Sequence, residues 1–227
     1  MIKEESINIE NGDTFHEVLS KFGALALDKQ ENLSELIGNN QGVLDIEKGC
    51  INFENIEMPV QILGYYVDSA KQWSWAWDND IGFDDSLIKA AIQMKAIGDE
   101  FFIPEFNLAV MRANFDDCHT LAMSAVSLLD YDGYYAVNED GIDIFVALQS
   151  DLIKENNSVE KFRDTYYTFQ KNFDINAKLA FKSYTILKNY IFKSHDDFDV
   201  AKIDESRIIV GYSERGHVTH IQMFLED

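Results

Sequence analysis

The stretch KQWSWAWDND, residues 71–80, holds all three tryptophans of the chain at every second position. Side chains alternate between the two faces of a β-strand, so Trp73, Trp75 and Trp77 are predicted to project from one face. Three indoles on one face require cover, because aromatic side chains dominate core energetics when they are buried. We therefore predict a strand whose tryptophan face belongs to a core shared with amphipathic helices.

An exposed aromatic platform is the alternative interpretation of the same strand. The small side chains of Ser74 and Ala76 on the opposite face allow either close packing or exposure. An exposed indole face stacks against a ligand ring or against a cationic side chain. The ligand-binding set predicted by this alternative is Trp73, Trp75, Trp77, Tyr65 and Tyr66.

Aspartates follow the tryptophans, where the predicted strand gives way to a helix. We expect these charged side chains to face solvent, and aromatic anchors with an acidic rim suit a basic protein surface. A second group of acids surrounds the turn NEDG at residues 138–141, between two predicted strands. The predicted partner-binding residues are Asp78, Asp80, Asp84, Asp85, Glu139, Asp140 and Asp143.

Helical and strand patterns follow one another along the first 150 residues. Thr14 and Glu17 have the spacing of a capping box, and apolar residues then recur at three- and four-residue steps up to Ile37. Short β-branched or aromatic runs bounded by Gly, Asn and Asp come next, which indicates an antiparallel meander. The further predicted elements are helices at 85–100 and 116–129 and a hairpin at 131–149.

Residues 150–158, SDLIKENNS, are polar and turn-rich and mark the predicted domain boundary. Ser158 and Asp174 are predicted to cap two helices, and RIIVGYS and HVTHIQMFLE to form a terminal hairpin. The sequence thus predicts an α+β fold in two parts. An acidic domain at 1–150 has an N-terminal helix plus an antiparallel meander with further helices and a hairpin. A smaller helix-helix-hairpin unit occupies 158–227.

The formal net charge is −21, and most of it lies in the first 150 residues. That segment has 27 acidic and 8 basic residues, a net −19, whereas residues 151–227 have 13 and 11, a net −2. Nucleic acids and anionic membranes repel such a surface, so a basic protein is the expected partner. No apolar run approaches the roughly 18 residues that cross a bilayer, and no secretory signal is visible. We expect a cytoplasmic protein with free, buried thiols at Cys50 and Cys118.

Catalytic motifs are not found in the sequence. It has no phosphate-binding glycine loop and no serine nucleophile elbow. In FDDCHTLA, Asp116 and Asp117 favour a helix start, and Cys118 continues an apolar helical stripe. Burial of Cys118 is therefore favoured over a metal or thiol site shared with His119. We predict no catalytic residue, no metal ligand and no cofactor.

The stretch PVQILGYYVDSAKQWSWAWDN resembles the signature of a bacterial protein family of unknown function, P-x-Q-x-L-G followed by W-x-W-(A/G)-W-x-N. The matching residues are Pro59, Gln61, Leu63, Gly64, Trp73, Trp75, Trp77 and Asn79. The resemblance covers about residues 14–148, and it implies a bacterial, cytoplasmic protein with the family's fold. It assigns no catalytic residues. Asp78 departs from the small residue common at its position, and Tyr65 and Tyr66 depart from small polar ones.

Three functions are compatible with these patterns. The first is a non-catalytic interaction protein, most concretely an acidic immunity- or antitoxin-type inhibitor of a basic, toxin-like protein. The second is a small-ligand binding module that uses the tryptophan and tyrosine face. The third is a hydrolase that uses carboxylates together with His119. We favour the first, which is motivated by the net charge of −19 on the first 150 residues.

Overall fold

The computed structural model describes residues 6–225 and confirms the α+β fold. These residues form two compact units. The core unit comprises Lys29–Lys154, and the terminal unit comprises the described residues up to Asp28 together with those from Glu155 onward. Helix α1 (Phe15–Ile37) begins in the terminal unit and ends in the core unit. No helix within residues 6–225 has the length and apolar character needed to span a bilayer.

The two units differ from the predicted domains in where the N-terminal residues belong. The predicted acidic domain starts at residue 1, whereas the described residues up to Asp28 group with the C-terminal segment. Charge remains uneven between the units: Lys29–Lys154 has 22 acidic and 7 basic residues, a net −15, and the rest of the chain has 18 and 12, a net −6. The core unit is therefore the more acidic part of the protein.

Helix α1 begins where the sequence predicts. The Thr14 hydroxyl accepts a hydrogen bond from the Glu17 N–H at 3.3 Å, and the Glu17 carboxylate accepts one from the Thr14 N–H at 2.8 Å. This reciprocal box satisfies N–H groups that have no partner inside the helix. After Ile37, Gly38 has a φ of 57°, the left-handed conformation that ends many helices.

A seven-stranded antiparallel sheet curls into a half-barrel in the core unit. Its strands are β1 (Val43–Asp45), β2 (Cys50–Phe53), β3 (Ile56–Val67), β4 (Gln72–Trp75), β5 (Val110–Arg112), β6 (Gly133–Glu139) and β7 (Ile142–Leu148). The longest strand, β3, pairs with β2, β4 and β7. Its pairing with β7 shifts register between Ile62 and Gly64, and such an irregularity bends a strand. β3 is thus the strand around which the core unit is built.

Three helices complete the core unit, α2 (Lys89–Phe101), α3 (Pro104–Asn107) and α4 (Phe115–Leu128). A capping box starts α4: Asn114 Oδ1 accepts from the Asp117 N–H, and the Asp117 carboxylate accepts from the Asn114 N–H, each at 2.9 Å. α4 packs against β3, β6 and β7, and α2 packs against β3. The sequence pattern does not predict α3 or β5, because four and three residues are too few to show a period.

The tryptophan strand is shorter than its sequence pattern predicts. β4 ends at Trp75, and Ala76–Asp78 form a short 3-10 helix. Trp73 and Trp75 therefore share a strand face, whereas Trp77 belongs to the next element. The prediction that all three indoles project from one strand face is correct for two of them and wrong for Trp77.

The terminal unit combines two helices with a four-stranded antiparallel sheet. The elements are α5 (Val159–Asn172), α6 (Ala177–Leu187), β8 (Ile191–Ser194), β9 (Phe198–Ile203), β10 (Ser206–Tyr212) and β11 (Val218–Phe224), and the sheet order is β11-β10-β9-β8. Buried aromatic side chains fill the space between helices and sheet. Phe162 of α5 and Tyr184 of α6 stack with ring centroids 4.3 Å apart.

Two predictions for this unit need correction. Ser158 caps α5 as predicted, with its hydroxyl accepting from the Lys161 N–H at 3.2 Å. Asn176 rather than Asp174 caps α6, through a 3.0 Å hydrogen bond from the Leu179 N–H to Asn176 Oδ1. The predicted terminal hairpin, β10 and β11, is one half of a sheet that also contains β8 and β9. Neither β8 nor β9 is predicted from the sequence. Most side chains of β8 are exposed and its burial does not alternate, whereas the alternating pattern of β9 is missed.

Candidate partner-binding site

Trp73 and Trp75 lie in the core, where both side chains are fully buried. Their rings meet edge to face with centroids 5.3 Å apart, and Trp73 also meets Phe145 of β7 at 5.3 Å. Trp75 Nε1 donates a hydrogen bond to the Glu105 carbonyl at 2.8 Å. This bond ties β4 to α3 and satisfies the polar atom of a buried indole. The predicted core face is confirmed for these two tryptophans.

Gly64 lets the Trp73 indole lie directly against β3. A Cβ atom at this position would stand 2.5 Å from both the Ser74 carbonyl oxygen and Trp73 Cζ2. A backbone atom cannot move away to relieve so short a contact, so only glycine fits without a shift of the strands. The glycine therefore sets how closely β3 and β4 approach at the point where the tryptophan phrase begins.

The predicted aromatic platform does not exist as a single exposed face. Trp73 and Trp75 are fully buried, and Tyr66 is 1% exposed with its hydroxyl donating to Asp68 at 3.2 Å. Tyr65 and Trp77 are half-buried. These two side chains are the members of the predicted ligand-binding set with surface left for a ligand.

Asn79 closes the segment that follows the tryptophans. Its backbone is left-handed, with a φ of 54°, and its side chain bridges to Phe83. Asn79 Oδ1 accepts from the Phe83 N–H at 2.6 Å, and Asn79 Nδ2 donates to the Phe83 carbonyl at 3.0 Å. Phe83 is buried, so the bridge anchors both ends of a five-residue turn to the core. We call residues 78–85 the acid loop.

Gln61 of β3 holds the far end of the acid loop. Gln61 Nε2 donates to the Ser86 carbonyl at 3.0 Å, and Gln61 Oε1 accepts from the Ala90 N–H at 3.3 Å. The second bond satisfies an N–H in the first turn of α2, which has no partner inside the helix. A single amide thus connects the central strand to the end of the acid loop and to the start of α2.

The acid loop presents its four aspartates, Asp78, Asp80, Asp84 and Asp85, as exposed side chains. Asp84 Oδ1 accepts from the Ser86 N–H at 2.8 Å, and hydrogen bonding from Ser86 lowers the pKa of the Asp84 carboxyl. Beside the loop, Lys95 Nζ lies 5.3 Å from the Trp77 ring centroid and 2.6 Å from Asp99 Oδ2. The arrangement is a fixed, negatively charged surface bordered by a half-buried indole.

The second predicted acidic group lies elsewhere on the core unit. Glu139 and Asp140 are exposed in the β6–β7 turn, and Asp143 is half-buried with its carboxylate accepting from Asn138 Nδ2 at 2.8 Å. Glu139 pairs with Ile142 across the β6–β7 turn, Ile142 pairs with Val67 of β3, and Val67 pairs with Gln72 of β4. The β6–β7 turn therefore lies level with the start of β4. The acid loop follows the other end of β4, so the structure does not bring the two predicted groups together.

The cysteine and histidine of α4 do not form a reactive pair. Cys118 is fully buried, and burial raises its pKa to about 12, so the thiol is protonated at neutral pH. His119 Nδ1 lies 2.9 Å from the Tyr134 hydroxyl, and its ring meets Phe115 and Phe145 edge to face. Burial lowers the pKa of His119, which favours the neutral imidazole. No group of three metal-ligating side chains occurs among residues 6–225.

The family of unknown function DUF6882 matches residues 16–151, more than half of the chain. The chain belongs to this family. The DUF6882 region contains Gln61, Gly64, the tryptophans, Asn79 and the whole acid loop, and it ends before α5. The comparisons found no match among curated proteins or among solved structures.

Gln61 and Asn79 belong to the family signature, but the sequence pattern does not indicate their roles. Both side chains bond to backbone groups of a loop, and such bonds depend on a loop path that residue spacing does not reveal. One signal was available for Asn79. Asparagine adopts the left-handed conformation more readily than most residues, and it stands here at the end of a strand pattern.

Proposed function

We propose that this protein is a non-catalytic bacterial, cytoplasmic protein that binds a basic protein partner through the acid loop. Its most concrete form is an immunity- or antitoxin-type inhibitor that covers a cationic surface of a toxin. The observation that carries the proposal is the way Asn79 and Gln61 fix a loop of four exposed aspartates.

Preorganisation gives the acid loop an advantage over a flexible acidic segment. A loop that is already ordered loses less conformational entropy when it binds, so more of the interaction energy appears as affinity. The Asn79 and Gln61 bridges connect the loop to a buried phenylalanine, a central strand and a helix start. The four carboxylates therefore hold defined positions before a partner binds.

The charge of the core unit supports the same function. Its net −15 creates a field that attracts cationic proteins over distances comparable with the Debye length, about 10 Å at 0.1 M salt. Such steering raises the rate of association and weakens as salt is added. Trp77 beside the loop supplies an aromatic surface of the kind enriched in binding hot spots.

Co-expression with the products of adjacent genes tests this function. Each product is expressed in a heterologous host with and without this protein, and growth and co-purification are measured. We expect a basic product that inhibits growth when expressed alone and is neutralised when this protein is present. The proposal fails if every basic product tested is harmless, or if this protein neither binds nor neutralises a harmful one.

A matched pair of variants assigns the effect to the acid loop. The loop variant combines Asp78→Asn, Asp80→Asn, Asp84→Asn and Asp85→Asn. The control variant combines Glu47→Gln, Glu54→Gln, Glu100→Gln and Asp151→Asn, which removes the same charge from exposed positions of the same unit. Protection should be lost with the loop variant and retained with the control.

A further inference from the structure

Among residues 6–225, strand β11 forms one edge of the terminal unit's sheet. The unpaired backbone groups of an edge strand pair readily with another strand, and proteins prevent this with charges, short strands, bulges or cover. A register shift marks the start of β11, next to Val218. From His220 to Phe224 the strand pairs regularly with β10 and contains no Asp, Glu, Lys or Arg. These five residues form a regular, uncharged edge.

The other edge strands within residues 6–225 carry such protection. β1, β5 and β8 have three, three and four residues and contain Asp45, Arg112 and Lys193 respectively. β6 is longer, but it contains Glu139 and Gln30 covers part of its edge. Gln30 Oε1 accepts from the Tyr134 N–H at 3.1 Å, and Gln30 Nε2 donates to the Tyr134 carbonyl at 3.0 Å. A side-chain amide thus occupies the edge of β6 at Tyr134 in place of another strand.

Helix α5 packs against β11, and Arg163 Nη1 lies 3.8 Å from Met223 Sδ. A groove of about 300 Å³ lies between strand and helix, and its lining includes Arg163, Tyr167 and Thr219. At the end of the strand Phe224 and Leu225 are 49% and 56% exposed. Large apolar side chains beside an unpaired strand edge favour association with another strand.

The side chains of His220–Phe224 are self-complementary in the antiparallel direction. If Gln222 faces its own copy across a two-fold axis, Ile221 lies opposite Met223 and His220 lies opposite Phe224. The two Gln222 side-chain amides are then opposite each other, the apolar Ile221 and Met223 side chains pair, and the His220 ring pairs with the Phe224 ring. No like charges are opposite each other. A chain with a net charge of −21 repels its copy over most of its surface. Electrostatic repulsion between two copies is therefore smallest where they associate through an uncharged edge.

His220 is positioned for such a contact by the glycine opposite it. His220 pairs with Gly211 of β10, and a Cβ atom at 211 would stand 2.1 Å from His220 Cε1. The imidazole therefore lies directly over the glycine on the sheet face. Thr219 Oγ1 lies 3.1 Å from His220 Nδ1 and holds the ring from the neighbouring position. A ring held in one orientation loses little entropy when it is covered.

We propose that β11 pairs antiparallel with β11 of a second copy of this chain. The two four-stranded sheets then form one eight-stranded sheet with Gln222 on the two-fold axis. This self-association is separate from the proposed function, because β11 lies in the terminal unit and the acid loop lies in the core unit.

Sedimentation velocity of the full chain over roughly 1–200 µM tests the proposal. The wild type should shift with concentration from the 26.0 kDa of one chain toward about twice that mass. Gln222→Lys places two lysines opposite each other and should weaken dimerisation at least about fivefold. Ile191→Lys is the matched control, because it adds the same charge at an exposed position on the opposite edge of the sheet. This variant should dimerise like the wild type.

A charge-reversal pair tests the register directly. Gln222→Lys and Gln222→Glu should each be weaker dimers alone, and an equimolar mixture should recover the dimer, because lysine then faces glutamate across the axis. Far-UV circular dichroism checks that all variants fold. The proposal is overturned if the wild type is monomeric throughout, if Gln222→Lys dimerises like the wild type, or if the mixture stays monomeric.

Discussion

The Asn79 side chain holds Phe83 by two hydrogen bonds, one from the Phe83 N–H at 2.6 Å and one to the Phe83 carbonyl at 3.0 Å. A single residue thereby converts the segment after the tryptophans into a closed turn. Because Phe83 is buried, the turn is fixed to the core of the unit and not only to itself. The position of the acid loop therefore depends on the same core that contains Trp73 and Trp75.

Replacing Asn79 should destabilise the protein, and two different substitutions separate the contribution of the hydrogen bonds from that of the backbone conformation. Asn79→Ala leaves the Phe83 N–H without its partner and puts alanine, which tolerates the left-handed conformation less well than asparagine, at this position, for an expected loss of about 2–3 kcal/mol in unfolding free energy. Asn79→Gly removes the hydrogen bonds without the conformational cost, so its loss should be smaller by about 1 kcal/mol. Urea denaturation measures both. Equal stability of the alanine variant and the wild type would show that the bridge contributes nothing.

The tryptophans should differ in their effect on stability according to their burial. Trp75→Phe loses the 2.8 Å bond to the Glu105 carbonyl and leaves a cavity in a fully buried site, with an expected cost of about 2–4 kcal/mol. Trp77→Phe changes a half-buried side chain and should cost about 1 kcal/mol or less. Thermal or urea unfolding of the two variants makes the comparison. A larger cost for Trp77→Phe would contradict the assigned core.

His119 should make stability depend on pH on the acid side of neutrality. Burial lowers its folded-state pKa below the ordinary value near 6.5, so the unfolded chain binds a proton first as pH falls. Stability from this group is therefore complete above about pH 6.5 and declines as pH falls below it.

Unfolding free energy measured from pH 7.5 to 5 in the wild type and in His119→Gln isolates this contribution. The decline below about pH 6.5 should be shallower in His119→Gln. His16→Gln, which removes an exposed histidine of the terminal unit, is measured alongside as the control. Identical slopes for His119→Gln and the wild type would contradict the neutral, half-buried imidazole.

The sequence predicts most of the regular elements because their patterns are local. The Thr14–Glu17 box, the Ser158 cap and the alternation around Trp73 and Trp75 each need only a few neighbouring residues to be recognised. The short strands β5 and β8 give no such pattern, and β9 has an alternating pattern that the prediction missed. Asp174 also has the right chemistry for a helix cap, and only the chain path shows that Asn176 takes that position.

The candidate site was predicted only in part. The sequence correctly places aspartates after the tryptophan strand, and these are exposed. It also predicts a second partner-binding group that includes Glu139 and Asp140, and strand register separates that group from the acid loop. Register is a property of the assembled sheet, which depends on pairs that are distant in sequence. The same holds for Gln61, whose amide reaches backbone groups 25 and 29 residues later.

Salt dependence of association tests the role of the acid loop most directly. The measurement is the stopped-flow association rate constant of the partner identified by co-expression, at about 25 and 250 mM salt, for the wild type, the loop variant and the control variant. The loop variant should associate about tenfold more slowly at low salt and show a weaker salt dependence, whereas the control should stay close to the wild type. Equal rates and equal salt dependence for the loop and control variants would contradict the assignment of partner binding to the acid loop.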